Sequence, residues 1–211
     1  VNLGIYLVTD RALCGERGVA ETVRAAVDGG VRTVQLRDKH AGFDAHLREL
    51  ERLAEAIQGR ALLLVNDRLD VAIAARERGI PVDGVHLGQG DPAVRSARDE
   101  FGPDAVIGLT ANSDEHLAAV THLPEGTVDY LGIGVIRPTA TKPDHPPALG
   151  FDGFRRLAAA ASVPSVAIGG IGIDDIARLR DDGAAGAAIV SAICAAEDPK
   201  ATARRFVRAW G

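Results

Sequence analysis

The chain has 211 residues, 46% hydrophobic and 25% charged, which suits one soluble domain, residues 1–211, large enough to bury a continuous core. A formal net charge of -5 and a pI near 5.7 leave no broad basic surface for nucleic acid or an anionic membrane, and aromatics at 4% argue against a stacking platform for single strands. No apolar run approaches the roughly 20 residues of a membrane helix and signal-peptide order is absent, so a cytoplasmic protein is expected, with Cys14 and Cys194 as free thiols outside any metal-type spacing.

Short apolar segments alternate with longer amphipathic ones along the whole chain. Leu3 to Val8 reads as a strand, and Val19 to Asp28 as a helix stopped by Gly29 and Gly30. Val31 to Leu36 then precedes a helix over Asp44 to Gln58, where Leu47, Leu50, Leu53, Ala54 and Ile57 keep helical spacing ahead of Gly59. Ala61 to Val65 pairs with Val71 to Arg78, Gly84 to Leu87 with Pro92 to Glu100, and Ala105 to Leu109 with Ser113 to Val120. The last units are Tyr130 to Ile133 with Phe151 to Ala161, Ser165 to Ile168 with Ile173 to Asp181, and Ala187 to Val190 with Lys200 to Trp210. The strands lack strict alternation, as parallel strands covered by helices do. Eight such units in 211 residues predict an α/β fold, a single-domain (β/α)8 TIM barrel, with a doubly wound open sheet as the alternative.

In such a barrel the residues just past each strand converge on one mouth, so the strand exits list the site candidates. The second exit, "VQLRDK", places Gln35, Arg37 and Lys39 at alternating positions that an extended segment turns toward one face; ordinary surface charges are the bland reading. After the third strand comes Asn66-Asp67 and after the fourth "HLGQGD", with Gln89 and Asp91. Each carboxylate could cap the next helix, Asp91 being followed by Pro92. Together, Asp67 and Asp91 opposite Arg37, Lys39 and Lys142 can hold a hard divalent ion beside a phosphate, which suits magnesium better than zinc.

Thr110 offers a hydroxyl at the fifth exit. At the sixth, Gly132 and Gly134 remove side chains near the rim, and Thr139-Ala140-Thr141-Lys142 supplies donors for an anionic oxygen. The seventh and eighth exits, "AIGGIG" and "AIVSAI", put Gly169, Gly170, Val190 and Ser191 where barrels often bind a monophosphate through loop amides. These groups imply two phosphate subsites, as a diphosphate donor and a monophosphate acceptor would need. The histidines form no metal cluster, and His86 inside the fourth strand reads as a satisfied packing residue rather than a base.

With these residues assembled, the chain resembles the thiamine phosphate synthase family over almost its whole length, through "YLVTD", "VQLRDK", "ND", "GVHLGQGD", "DYLGIG", "TATK", "AIGGI" and "AIVSAI" in family order. The resemblance implies a transferase that joins a hydroxymethylpyrimidine diphosphate to a thiazole phosphate, with magnesium, releasing pyrophosphate and forming thiamine phosphate. It implies that Gln35, Leu36, Arg37, Asp38, Lys39, Asn66, Thr110 and Lys142 hold the pyrimidine diphosphate, with Arg37, Lys39, Lys142 and Thr110 acting in catalysis. Thr139, Ala140, Thr141, Gly170, Val190 and Ser191 would hold the thiazole phosphate, and Asp67 with Asp91 the metal.

Two departures stand out: Thr110 occupies a position where the family usually has Ser, and Ile136-Arg137 replaces a "GPVF"-like sequence. A homodimer is a further family expectation. The competing readings are a thiazole tautomerase of the same superfamily, which handles no diphosphate, and a phosphate-binding barrel without turnover. The charged set at the second, third, fourth and sixth exits argues against both.

Overall fold

In the computed structural model, which describes residues 3–89, 93–139, 141 and 147–211, eight parallel strands close into one barrel in chain order, with the last strand paired to the first. β1 (Gly4–Val8) leads through a short α1 (Arg11–Cys14) to α2 (Val19–Asp28) and β2 (Thr33–Leu36). α3 (Phe43–Ile57), β3 (Leu62–Asn66), α4 (Leu69–Glu77) and β4 (Gly84–Leu87) follow. Next come α5 (Ala93–Phe101), β5 (Val106–Thr110), α6 (Asp114–Thr121), β6 (Tyr130–Gly134) and α7 (Gly150–Ala160). β7 (Ser165–Ile168), α8 (Ile176–Asp181), β8 (Ala184–Ile189), a short α9 (Ser191–Cys194) and α10 (Pro199–Trp210) complete the ring. This is the (β/α)8 barrel, and the open-sheet alternative fails because β1 and β8 pair along four residues. Among the described residues no helix is long and apolar enough to cross a membrane.

Each strand is buried on both faces, which explains its near-continuous apolar sequence. In β1, Ile5 and Leu7 pack outward among helix side chains, whereas Tyr6 and Val8 join an inner cluster with Leu64, Val106, Tyr130, Val166 and Ala188. α3 shows the outer layer clearly: Leu47, Leu50, Leu53 and Ile57 are at most 2% exposed, so each contributes roughly 1.5–3 kcal/mol of burial. Its end follows from Gln58 and Gly59, both in the left-handed region.

Two differences from the sequence reading have physical causes. β8 starts at Ala184 instead of Ala187, because "AAG" has low strand propensity yet fits a crowded interface: a Cβ on Gly186 would lie 2.9 Å from the Gly4 carbonyl oxygen. α1 and α9 have four residues each, too few to show a helical period. They also bring Cys14 and Cys194 together across the β1–β8 seam. Both thiols are free and buried, and hydrogen bonding to Cys14, followed by burial, pushes Cys194 up.

The N-terminal end of the barrel is closed by its own polar groups. The Asp83 carboxylate accepts the Leu63 amide at 2.7 Å, and Asp129 accepts the Ile107 amide at 2.7 Å and Arg98 at 2.6 Å. Strand starts that would otherwise lack partners are thereby satisfied.

Candidate active site

A cavity of about 280 Å³ opens at the C-terminal end of the barrel. Its apolar wall is Val166, Ile168 and Ala188, inward residues of β7 and β8. Its floor is polar and fully wired. Gln35 Nε2 donates to Tyr6 Oη at 2.7 Å, the Tyr6 and Tyr130 hydroxyls meet at 2.8 Å, and His86 reaches Tyr130 through Nδ1 at 2.9 Å and Thr110 through Nε2 at 3.1 Å. Burial pushes both phenols above their ordinary values, so they stay protonated at working pH. His86, expected from the sequence to be a satisfied packing residue, is hydrogen-bonded through both ring nitrogens, and it also lines the cavity, which the sequence reading did not anticipate. Gly108 and Gly132 are what admit it. A Cβ on Gly132 would stand 2.9 Å from His86 Cε1, and one on Gly108 would collide with Tyr130 and His86.

Arg37 and Lys39 line the rim at the β2 exit, and the Thr9 hydroxyl accepts the Arg37 amide at 3.0 Å, which fixes the backbone as it leaves the barrel. The two residues between them face elsewhere, as extended alternation requires. Leu36 is 1% exposed in the outer core, and Asp38 takes Arg11 at 2.8 Å and the amides of His40 and Ala41 at 3.1 Å; neither side chain lines the cavity. Burial pushes the Asp38 carboxyl up, but the hydrogen bonds from Arg11 and the two amides hold it below its ordinary value.

At the β3 exit Asn66 and Asp67 both line the cavity. Neither caps α4, whose N-cap is Arg68. Asp67 sits at φ 58°, and its amide donates to the His86 carbonyl at 2.9 Å, which tethers the turn to β4. Gln89 lines the same side. Asp91, Ala140 and Lys142 lie outside the described residues. Asp67 with the carboxamide oxygens of Asn66 and Gln89 is an oxygen donor set, the chemistry a hard cation takes, and among the described residues no cluster of three or more metal-binding side chains forms.

Across the ring, Thr139, Thr141, Gly170, Val190 and Ser191 line the opposite arc. The Thr139 and Thr141 hydroxyls meet at 2.9 Å. Gly169 and Gly170 both take left-handed backbone, and Cβ atoms there would press on Val135 and Arg137. Arg137 faces away from the cavity. Its guanidinium pairs with Asp175 at 2.8 Å, donates to the Gly170 carbonyl at 3.0 Å and stacks 4.8 Å from the Phe151 ring, bracing this loop from outside.

One cavity thus gathers Gln35, Arg37, Lys39, Asn66, Asp67, Thr110, Thr139, Thr141, Gly170, Val190 and Ser191 from the sequence expectations. It adds Tyr6, His86, Asn112 and Tyr130, which the strand exits did not reveal. The signal of Tyr6, His86 and Tyr130 was inward position within the strands, together with the glycines at 108 and 132 that make room for large neighbours, whereas Asn112 lies two residues past the end of β5.

Comparison with known proteins agrees with this architecture. The family model described as thiamine monophosphate synthase matches residues 5–193. A thiamine-phosphate synthase of Psychrobacter sp. (strain PRwf-1) is 45% identical over 97% of this chain and 94% of that protein, and one of Azorhizobium caulinodans is 45% identical over 96% and 92%. Among solved structures, thiamine phosphate pyrophosphorylase from Pyrococcus furiosus superposes with a TM-score of 0.82 at 31% identity, covering 99% of this chain and 95% of that one. With a family model spanning nearly all of the barrel and relatives matching end to end, this chain belongs to the thiamine monophosphate synthase family.

Proposed function

We propose that this protein is a thiamine phosphate synthase that joins a hydroxymethylpyrimidine diphosphate to a thiazole phosphate and releases pyrophosphate. The observation that carries the reading is the division of one cavity: Arg37 and Lys39 stand on the β2 arc and the Thr139, Gly170 and Ser191 group on the β6–β8 arc, with a polar floor between. Two anionic groups can be held apart with their reacting atoms directed at each other, which is the arrangement for coupling two substrates.

Gln35, Asn66 and Thr110 orient the pyrimidine diphosphate, Arg37 and Lys39 hold its diphosphate, and Lys142 joins them from outside the described residues. Leu36 and Asp38, whose side chains lie off the cavity, would contribute through the backbone of the segment between them. Thr139, Thr141, Gly170, Val190 and Ser191, with Ala140, hold the thiazole phosphate. The bond from the pyrimidine methylene to the diphosphate oxygen breaks, its electron pair leaving with pyrophosphate, and the thiazole nitrogen lone pair forms the new carbon–nitrogen bond. Arg37 and Lys39 stabilise the charge that grows on the departing group, a preorganised electrostatic role. Asp67, with Asp91, would hold magnesium, which when bound neutralises diphosphate charge. The apolar wall of Val166, Ile168 and Ala188 limits water around the methylene, favouring capture by the thiazole over hydrolysis.

The test is product formation with each component omitted in turn. Thiamine phosphate, identified by mass, is expected only when both substrates and magnesium are present, together with equimolar pyrophosphate. Retained thiazole phosphate binding with no product under any condition would instead fit a tautomerase or a binding protein.

A further inference from the structure

We propose that Arg137 is a positioning residue for the acceptor phosphate: from outside the cavity it holds two consecutive carbonyls, and so aims the two amides that follow them at the ligand. The inference rests on the synthase reading for the identity of the phosphate and on peptide geometry for the direction. The Arg137 amide donates to the Gly169 carbonyl at 3.0 Å, and its guanidinium donates to the Gly170 carbonyl at 3.0 Å. In a trans peptide the carbonyl of one residue and the N–H of the next point in opposite directions. Both peptides are trans, so the N–H groups of Gly170 and Ile171 point away from Arg137, toward the arc where Val190 and Ser191 line the cavity.

Gly169, Gly170 and Ile171 all line that cavity, and among the described residues neither of the two amides donates to a protein acceptor. The next amide, of Gly172, is by contrast taken by the Asp175 carboxylate at 2.7 Å. Two successive amides on one side of the chain form a small concavity for an anion. The guanidinium that sets their direction is itself fixed: Asp175 pairs with it at 2.8 Å, and the Phe151 ring lies 4.8 Å away.

Because the Asp175 carboxylate offsets its charge, the guanidinium acts through the direction of the Gly170 peptide and not through a field across the cavity. A lysine at this position would keep the charge and lose the fork that serves Asp175 and Gly170 together. The assignment gives a role to one of the two departures from the family pattern, at a residue that does not itself line the cavity.

The test titrates inorganic phosphate into the substrate-free protein and follows the Gly170 and Ile171 amides by nitrogen-15 correlation NMR. Both amide protons are expected to move downfield in the wild type, and Arg137→Met to need about 10-fold more phosphate for the same shift, the scale of one lost charge-assisted hydrogen bond. Wild-type amides that ignore phosphate, or an Arg137→Met titration that matches wild type, would overturn the assignment.

In turnover, Arg137→Met is expected to raise KM for the thiazole phosphate by about 10-fold with KM for the pyrimidine diphosphate unchanged, and to match wild type when the unphosphorylated thiazole alcohol is the acceptor. An equal rise in both KM values, or an equal loss with the alcohol, would mean that Arg137 only supports the fold. Should Arg137→Met fold poorly, Arg137→Lys carries the same test: it is expected to raise the same KM, and wild-type values would defeat the proposal. The phosphate titration needs no turnover, so a wild type that makes no thiamine phosphate refutes the synthase reading separately.

Discussion

At the N-terminal end of the barrel Asp83 and Asp129 bind strand amides and a neighbouring arginine, whereas at the C-terminal end Arg37, Lys39 and Asp67 border an open cavity. The same residue types do different work because of which groups they face. Strand starts need acceptors for their amides, and a carboxylate beside them is consumed by that need. Strand exits have their backbone groups carried into loops, and the polar side chains there border the open cavity. Stability and chemistry are separated by the length of a strand, and substitutions at the two ends should separate them too.

The largest effect is expected at the open end. Asp67→Asn removes the charge but keeps a residue tolerant of left-handed backbone, so it is expected to lower kcat by about 10²-fold at fixed magnesium without loss of fold. Steady-state rates over a magnesium titration check this, and an unchanged titration would break the assignment of Asp67 to the metal. At the closed end, Asp129→Ala removes the carboxylate that accepts the Ile107 amide and pairs with Arg98, and is expected to cost about 2 kcal/mol of stability by urea unfolding, with both KM values unchanged. A wild-type unfolding curve would show that this end is not held as described.

How far these ends could be read from the sequence follows from burial. The strand and helix alternation was legible because apolar runs and glycine stops mark it, and the exits were legible because polar residues interrupt those runs. Tyr6, His86 and Tyr130 were not, since a parallel strand is apolar on both faces and its sequence does not say which alternate residue points inward. In "VQLRDK" alternation did sort Arg37 and Lys39 from Leu36 and Asp38, whereas the family resemblance had grouped them together. The meeting of Cys14 with Cys194 came from barrel closure, which no local pattern encodes.

The smallest effect sharpens the comparison at the brace outside the cavity. The hydrogen bond from Arg137 holds the Asp175 carboxyl below its ordinary value of 3.8. A carboxyl lowered in the folded state binds its proton more readily when unfolded, so its contribution is present above about pH 4 and is lost as pH falls through the folded value. Asp175→Asn is therefore expected to flatten the acid loss of stability below pH 4, measured by thermal melting across a pH series, and an unaltered acid limb would count against the brace.

The most direct test of the account is one measurement on Arg37→Ala: kcat/KM for the pyrimidine diphosphate, taken on a preparation whose melting temperature is also recorded. A fall of about 10²–10³ with an unchanged melting temperature is the predicted result, placing Arg37 in the reaction and outside the fold's support. Wild-type turnover in this variant would contradict the claim that the open end of the barrel stabilises the departing diphosphate.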